Sequence, residues 1–136
     1  MSDRTADRLA ILETLARYAW ALSDRDWDRW EAAFAPGGTA DFSGAGGSNG
    51  SAAEGRAWLE TTFAMFELAI SQSTNAVVEF DGDDAADVRS GFRMVMKIGG
   101  ETPTFLEAQG WYSDRFVRVG EDWLIAARRE TLAYVR

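Results

Sequence analysis

Apolar positions in the first half of the chain recur at helical spacing, and those in the second half alternate. Over residues 3–22, Leu9, Leu12, Ala16, Ala19 and Trp20 recur with charges between them, the signature of an amphipathic helix. Ser23-Asp24-Arg25 reads as a break, after which Asp26 caps a second short helix carrying Trp27, Trp30 and Phe34. Pro36-Gly37-Gly38 stops that helix, and residues 39–43 suit a short strand. The glycine-rich stretch 44–50 lacks the Lys-Ser/Thr ending of a phosphate loop and reads as a flexible loop at a site mouth, or as plain linker. Ser51-Ala52-Ala53-Glu54 has capping-box spacing and opens a third helix with the stripe Trp58, Leu59, Thr62, Phe63, Phe66 and Ile70.

After Ser71 the period becomes two. Residues 75–80, 88–98, 104–119 and 123–134 read as strands joined by Asp/Gly-rich turns. Helices followed by an antiparallel meander give one α+β domain over 1–136, with no internal repeat. Phe92, Met94, Met96 and Ile98 share one strand face, and on the next strand Leu106, Ala108, Gly110, Tyr112, Asp114 and Phe116 do so. Asp114 and Tyr112 therefore fall among apolar side chains. A buried carboxylate is expensive unless partnered or solvated, so Asp114 either pairs with Arg115, Arg118 or Arg128 or meets a cavity.

The chain holds 136 residues, 46% of them hydrophobic, including six tryptophans and eight phenylalanines. Such content supports a packed core and excludes disorder. It has neither histidine nor cysteine, which excludes Ser-His-Asp and Cys-His catalysis, histidine-ligated zinc and disulfides. Any acid–base chemistry falls to carboxylates and phenols. Net charge is -8 without a basic run, so neither nucleic acid nor an anionic membrane is an expected partner. No apolar run approaches the roughly 20 residues that span a bilayer, and the charged start Met1-Ser2-Asp3-Arg4 is no secretory signal. The expectation is a cytoplasmic domain without metal or cofactor.

Several stretches then become informative together. Arg17-Tyr18-Ala19-Trp20-Ala21-Leu22, the run Asp24-Arg25-Asp26-Trp27-Asp28-Arg29-Trp30 with Phe34, Asn75-Ala76-Val77-Val78-Glu79-Phe80, Gly110-Trp111-Tyr112-Ser113-Asp114-Arg115, and Asp122-Trp123-Leu124-Ile125-Ala126-Ala127-Arg128 resemble SnoaL-like proteins in order and spacing. These belong to the nuclear transport factor 2-like superfamily. The resemblance implies a cystatin-like α+β barrel, a cone-shaped antiparallel sheet wrapped around the N-terminal helices and enclosing an apolar pocket. Members include polyketide cyclases, ketosteroid isomerase, scytalone dehydratase and non-catalytic binding domains, so fold alone leaves function open.

Carried over residue by residue, the resemblance places Ser23 and Ser71 where the dehydratase and a related dehydrochlorinase keep an Asp-His dyad. Elimination through that dyad is not expected. Compared with ketosteroid isomerase, Tyr18 and Asp114 match its two oxyanion donors, the latter as a protonated acid. Its base position falls on Phe42, beside Asp41, which substitutes only if the strand register shifts. The implied catalytic set is Tyr18, Asp114, Asp41 and Tyr112. Trp20, Phe42, Trp58, Phe63, Phe66, Ser71, Asn75, Phe92, Met94 and Met96 are the implied substrate-binding lining, and most are equally at home as core. Trp111 and Arg93 suit the outer sheet face, where a homodimer would bury them. The implied function is cofactor-free isomerase, cyclase or lyase chemistry on a hydrophobic oxygenated ring or polyketide-like ligand. A non-catalytic ligand-binding or assembly domain, or the small subunit of a ring-hydroxylating oxygenase, remains the alternative.

Overall fold

Helix α1 (Thr5–Asp24) ends where Arg25 turns left-handed at φ 55° and the Asp26 N–H reaches back 2.9 Å to the Ala21 carbonyl. In this computed structural model, which describes residues 3–136, Asp26 then caps α2 (Trp27–Ala32) by accepting from the Arg29 N–H. The helix stops sooner than its apolar spacing suggests. Phe34 begins strand β1 (Phe34–Asp41), and Pro36, Gly37 and Gly38 lie inside that strand instead of ending a helix. A short 3-10 turn (Ser43–Ala45) follows, and the glycine-rich stretch contributes a three-residue strand, β2 (Asn49–Ser51).

Ser51 opens α3 (Ala52–Phe63) with both halves of the capping box formed. This helix also ends early. Phe66 sits in the turn beyond it, its ring edge-on to Phe63 at 5.7 Å, and Ile70 belongs to β3 (Leu68–Phe80), where it faces outward. Strands β4 (Ala85–Ile98), β5 (Thr104–Val119) and β6 (Asp122–Val135) complete the meander.

The six strands form one sheet in the order β2-β1-β6-β5-β4-β3. It is mixed and not wholly antiparallel, because β1 runs parallel to β6. Bulges interrupt β3 between Thr74 and Val77 and the β5–β6 ladder at Gln109/Gly110 and Arg115/Phe116, each bending the sheet and increasing its twist. Asn75 holds φ 41° at the first of these.

The concave face packs on α1, but through a different stripe from the one its apolar periodicity suggests. Ile11, Leu15, Tyr18 and Leu22 are the buried set, while Leu9, Leu12 and Trp20 face outward. Both faces of α1 carry apolar residues, so periodicity alone cannot choose between them. Near the start of α1, Asp7 accepts from two Arg118 nitrogens at 3.1 Å, from Trp123 Nε1 at 3.0 Å and from Arg4 Nε at 2.8 Å. Those hydrogen bonds, the Arg118 pair first, hold its carboxyl down at about 2.

Candidate functional site: a buried polar cluster inside the cone

Strand alternation sends Tyr112 and Asp114 inward from β5, and α1 sends Tyr18 to meet them. Each is at most 6% exposed. The Tyr18 and Tyr112 rings meet edge-on at 5.8 Å, and Phe92 lies 4.8 Å from Tyr112. Asp114 is not a free acid. Arg128, its partner in register on β6, donates Nε to Oδ1 at 2.8 Å and Nη2 to Oδ2 at 2.7 Å. The guanidinium lies 3.7 Å from the Tyr112 ring centroid and 4.2 Å from that of Tyr18, an arrangement that places its charge against two π faces.

Burial raises the Asp114 carboxyl above its ordinary value, and the Arg128 charge and hydrogen bonds oppose it. Because a guanidinium keeps its proton and both carboxylate oxygens are engaged, the pair is ionic at neutral pH. The expected protonated acid is therefore replaced by one half of an ion pair. Burial pushes the Tyr18 phenol up to about 12 and Tyr112 well above its ordinary 10.0, the Arg128 charge opposing both. The two phenols are neutral donors.

Glu130 belongs to the same cluster. It lies on β6 in register with Tyr112, two residues beyond Arg128 and on the same face. Burial raises its carboxyl to about 7, against the pull of Arg128. Neither Arg128 nor Glu130 stands out from the alternation of β6. The bulge opposite Arg115/Phe116 makes Ala126 an extra residue, so the inward set passes from Trp123 and Ile125 to Arg128 and Glu130. The detectable signal is the broken period across Ala126-Ala127, with charges at both parities after it.

Asp41 does not join the group. It caps the end of β1, accepting the Ser43 N–H at 2.9 Å and the Ser43 hydroxyl at 2.6 Å, and those bonds, the hydroxyl first, lower its carboxyl. It lines a depression of about 770 Å³ on the outer sheet face with Thr39, Val77, Arg89 and Arg129. The register shift that would turn it inward does not occur. Trp20 is 68% exposed and borders a groove between α1 and α2. Asn75 is exposed at its bulge, where it shapes the strand backbone.

The other expected lining residues face the interior. Phe42, Phe63, Phe66, Phe92, Met94 and Met96 are buried, and Trp58 stacks on Phe42 at 5.5 Å. A Cβ at Gly47 would come within 2.6 Å of the Trp58 ring, so the glycine-rich stretch lies directly on this wall. Ser71 is half-buried on β3, and its N–H donates to Ser23 Oγ at 2.9 Å. The two dyad-equivalent positions therefore meet through a hydroxyl and a backbone amide, with no titratable group. Ser90 Oγ is buried without a hydrogen-bond partner, and Trp30, whose Nε1 lies beside the Tyr18 hydroxyl, packs 5.6 Å from the Tyr18 ring. Among the described residues no three carboxylates gather as a metal centre would require.

The profile of the SnoaL-like domain matches residues 3–129. The chain belongs to the SnoaL-like family. An uncharacterized Mycobacterium tuberculosis protein (strain H37Rv) is 30% identical over 129 residues, 95% of this chain and 87% of that one. Among solved structures, a Kribbella flavida protein has TM-score 0.86 at 23% identity, covering 98% of this chain and 95% of its own. Hexachlorocyclohexane dehydrochlorinase LinA type 2 has TM-score 0.85 at 16% identity over 98% and 89%. ActVI-ORFA from Streptomyces coelicolor has TM-score 0.78 at 18% identity over 95% and 98%. At these identities the structures establish the SnoaL-like fold alone. No helix among the described residues is long and apolar enough to cross a membrane.

Proposed function

We propose that this SnoaL-like domain is a cofactor-free acid–base enzyme of the isomerase, cyclase or lyase kind, acting on an uncharged, oxygenated, hydrophobic small molecule. The observation that carries the reading is the polar inventory of an otherwise apolar interior. It comprises two neutral phenols, Tyr18 and Tyr112, beside a guanidinium whose charge Asp114 cancels. Neutral donors held in a water-poor site stabilise oxygen charge as it develops, without reorganising at the moment of reaction. The unpartnered Ser90 Oγ supports the same conclusion, since a buried polar group without a partner is costly unless a ligand supplies one.

The test incubates the purified protein with a panel of neutral cyclic ketones and enols and follows each by liquid chromatography with mass detection. Turnover of at least one is expected, falling roughly 10²–10³-fold in Tyr18→Phe or Tyr112→Phe. Tight binding without turnover, or turnover indifferent to both substitutions, would end the catalytic reading.

A second reading, a ligand-binding or assembly domain without chemistry, is favoured by one specific observation. Rings within the cone already touch one another at 4.8–5.8 Å, and Asp114 holds Arg128 through two of its N–H groups. The same panel separates the two. The outer-face depression, with Val77 exposed beside Arg89, Arg115, Glu79 and Asp87, supports a homodimer burying that face.

A further inference from the structure

We infer that Glu130 is the group that carries the proton in this site, and that its substrate is an uncharged carbonyl compound with an acidic C–H beside the carbonyl. The inference rests on the catalytic reading above and supplies the base which that reading leaves unassigned.

The inward positions of β4, β5 and β6 carry two carboxyl groups, Asp114 and Glu130, together with Arg128 in the cluster and Arg118, which is taken by Asp7 of α1. Asp114 is unavailable, because both its oxygens accept from Arg128. Asp41 is unavailable for a different reason: Ser43 holds it, and it borders the outer-face depression. Glu130 is half-buried, where Asp114 is buried, and lies further along β6 toward its exposed end at Tyr134 and Val135.

The groups facing it are Arg128 on its own strand, Tyr112 and Asp114 from β5, and Tyr18 from α1. The 3-10 turn packed over β6, with Glu130's carbonyl 3.1 Å from a Cβ built at Gly44, brings no titratable side chain. Burial holds the Glu130 carboxyl near neutrality, where a general base is most effective.

Charge fixes the ligand class. Asp114 cancels Arg128, so the cluster offers no net positive charge to an anion, and an ionised Glu130 repels one. An uncharged carbonyl compound meets no such penalty. In the step itself, a Glu130 oxygen takes the proton from the carbon beside the carbonyl. The C–H electron pair becomes the C=C bond of an enolate, and the carbonyl π pair moves onto oxygen, where a neutral phenol donates to it. Glu130 then returns its proton to the same carbon or to a conjugated one. In D2O the protonated carboxyl exchanges with solvent first, leaving deuterium in the ligand.

The test uses 2-tetralone, a flat neutral ketone with acidic C–H groups, in D2O, with loss of its α-proton signals followed by NMR and its binding by saturation transfer. Wild type should accelerate exchange, with a rate rising with pH through an inflection near 7. Glu130→Gln should bind the ketone as wild type does and lose roughly 10²–10⁴-fold in exchange rate, whereas Asp41→Asn should match wild type. Exchange that persists in Glu130→Gln, or a wild-type profile flat from pH 5 to 9, overturns the assignment alone. Wild type that neither binds nor exchanges the ketone overturns the catalytic reading and the assignment together. Should Glu130→Gln unfold, the wild-type profile and the partial rate expected of Glu130→Asp decide the matter.

Discussion

At the scale of the residue, the decisive feature is that Asp114 and Arg128 are a fully buried, doubly hydrogen-bonded pair between two tyrosine faces. Removing one partner from such a pair leaves an uncompensated charge. Asp114→Asn should therefore lower stability by about 3–5 kcal/mol in urea unfolding. A loss under 1 kcal/mol would show that Arg128 finds water or another anion. Glu130 makes an opposite contribution. Its folded value of about 7 lies above the ordinary 4.5, so between those pH values the folded state binds more protons than the unfolded one. Stability should then fall as pH rises from about 4.5 to 7 and level off above, by a total on the order of 3 kcal/mol. Glu130→Gln should flatten that slope.

At the scale of the element, Asp7 ties α1 to β5 and β6 through Arg118 and Trp123. Its depressed carboxyl contributes stability that is fully present above the ordinary 3.8 and lost as pH falls through about 2. Asp7→Asn should remove that part of the acid limb, as read by tryptophan fluorescence between pH 5 and 2. Ser51→Ala, which loses the capping box of α3, should cost about 1 kcal/mol. Such local devices were readable in the sequence because their chemistry lies within four residues, as with Ser51 and Glu54 or the Asp26 cap. The course of β5 was equally legible, since its alternation runs unbroken through Tyr112, Asp114 and Phe116. What could not be read depends on distant partners. The parallel pairing of β1 with β6, the buried stripe of α1 and the inward turn of Arg128 and Glu130 past Ala126 are set by packing and by a bulge. The candidate site was thus partly visible: the phenols and Asp114 follow from simple periodicity, Arg128 is one of the three arginines the sequence offers Asp114, and Glu130 does not stand out.

At the scale of the whole molecule, one bent sheet separates two environments. Its concave side holds the aromatic core and the polar cluster, and its convex side holds Arg89, Arg115 and Arg129 among acids around a shallow depression. If that outer face joins two copies, sedimentation should give twice the chain's mass, and Val77→Asp should return the monomer while leaving the interior chemistry intact. A wild-type monomer at high concentration would remove the dimer without touching the site. The central claim concerns the inner side, that an inward-facing carboxyl beside a compensated arginine and two phenols is poised to exchange protons at neutral pH. The most direct test is a carbon-13 NMR titration of the Glu130 side-chain carboxyl in the intact protein, with its resonance assigned by loss in Glu130→Gln. A midpoint near pH 7 is predicted, and one near the ordinary 4.5 would contradict the account.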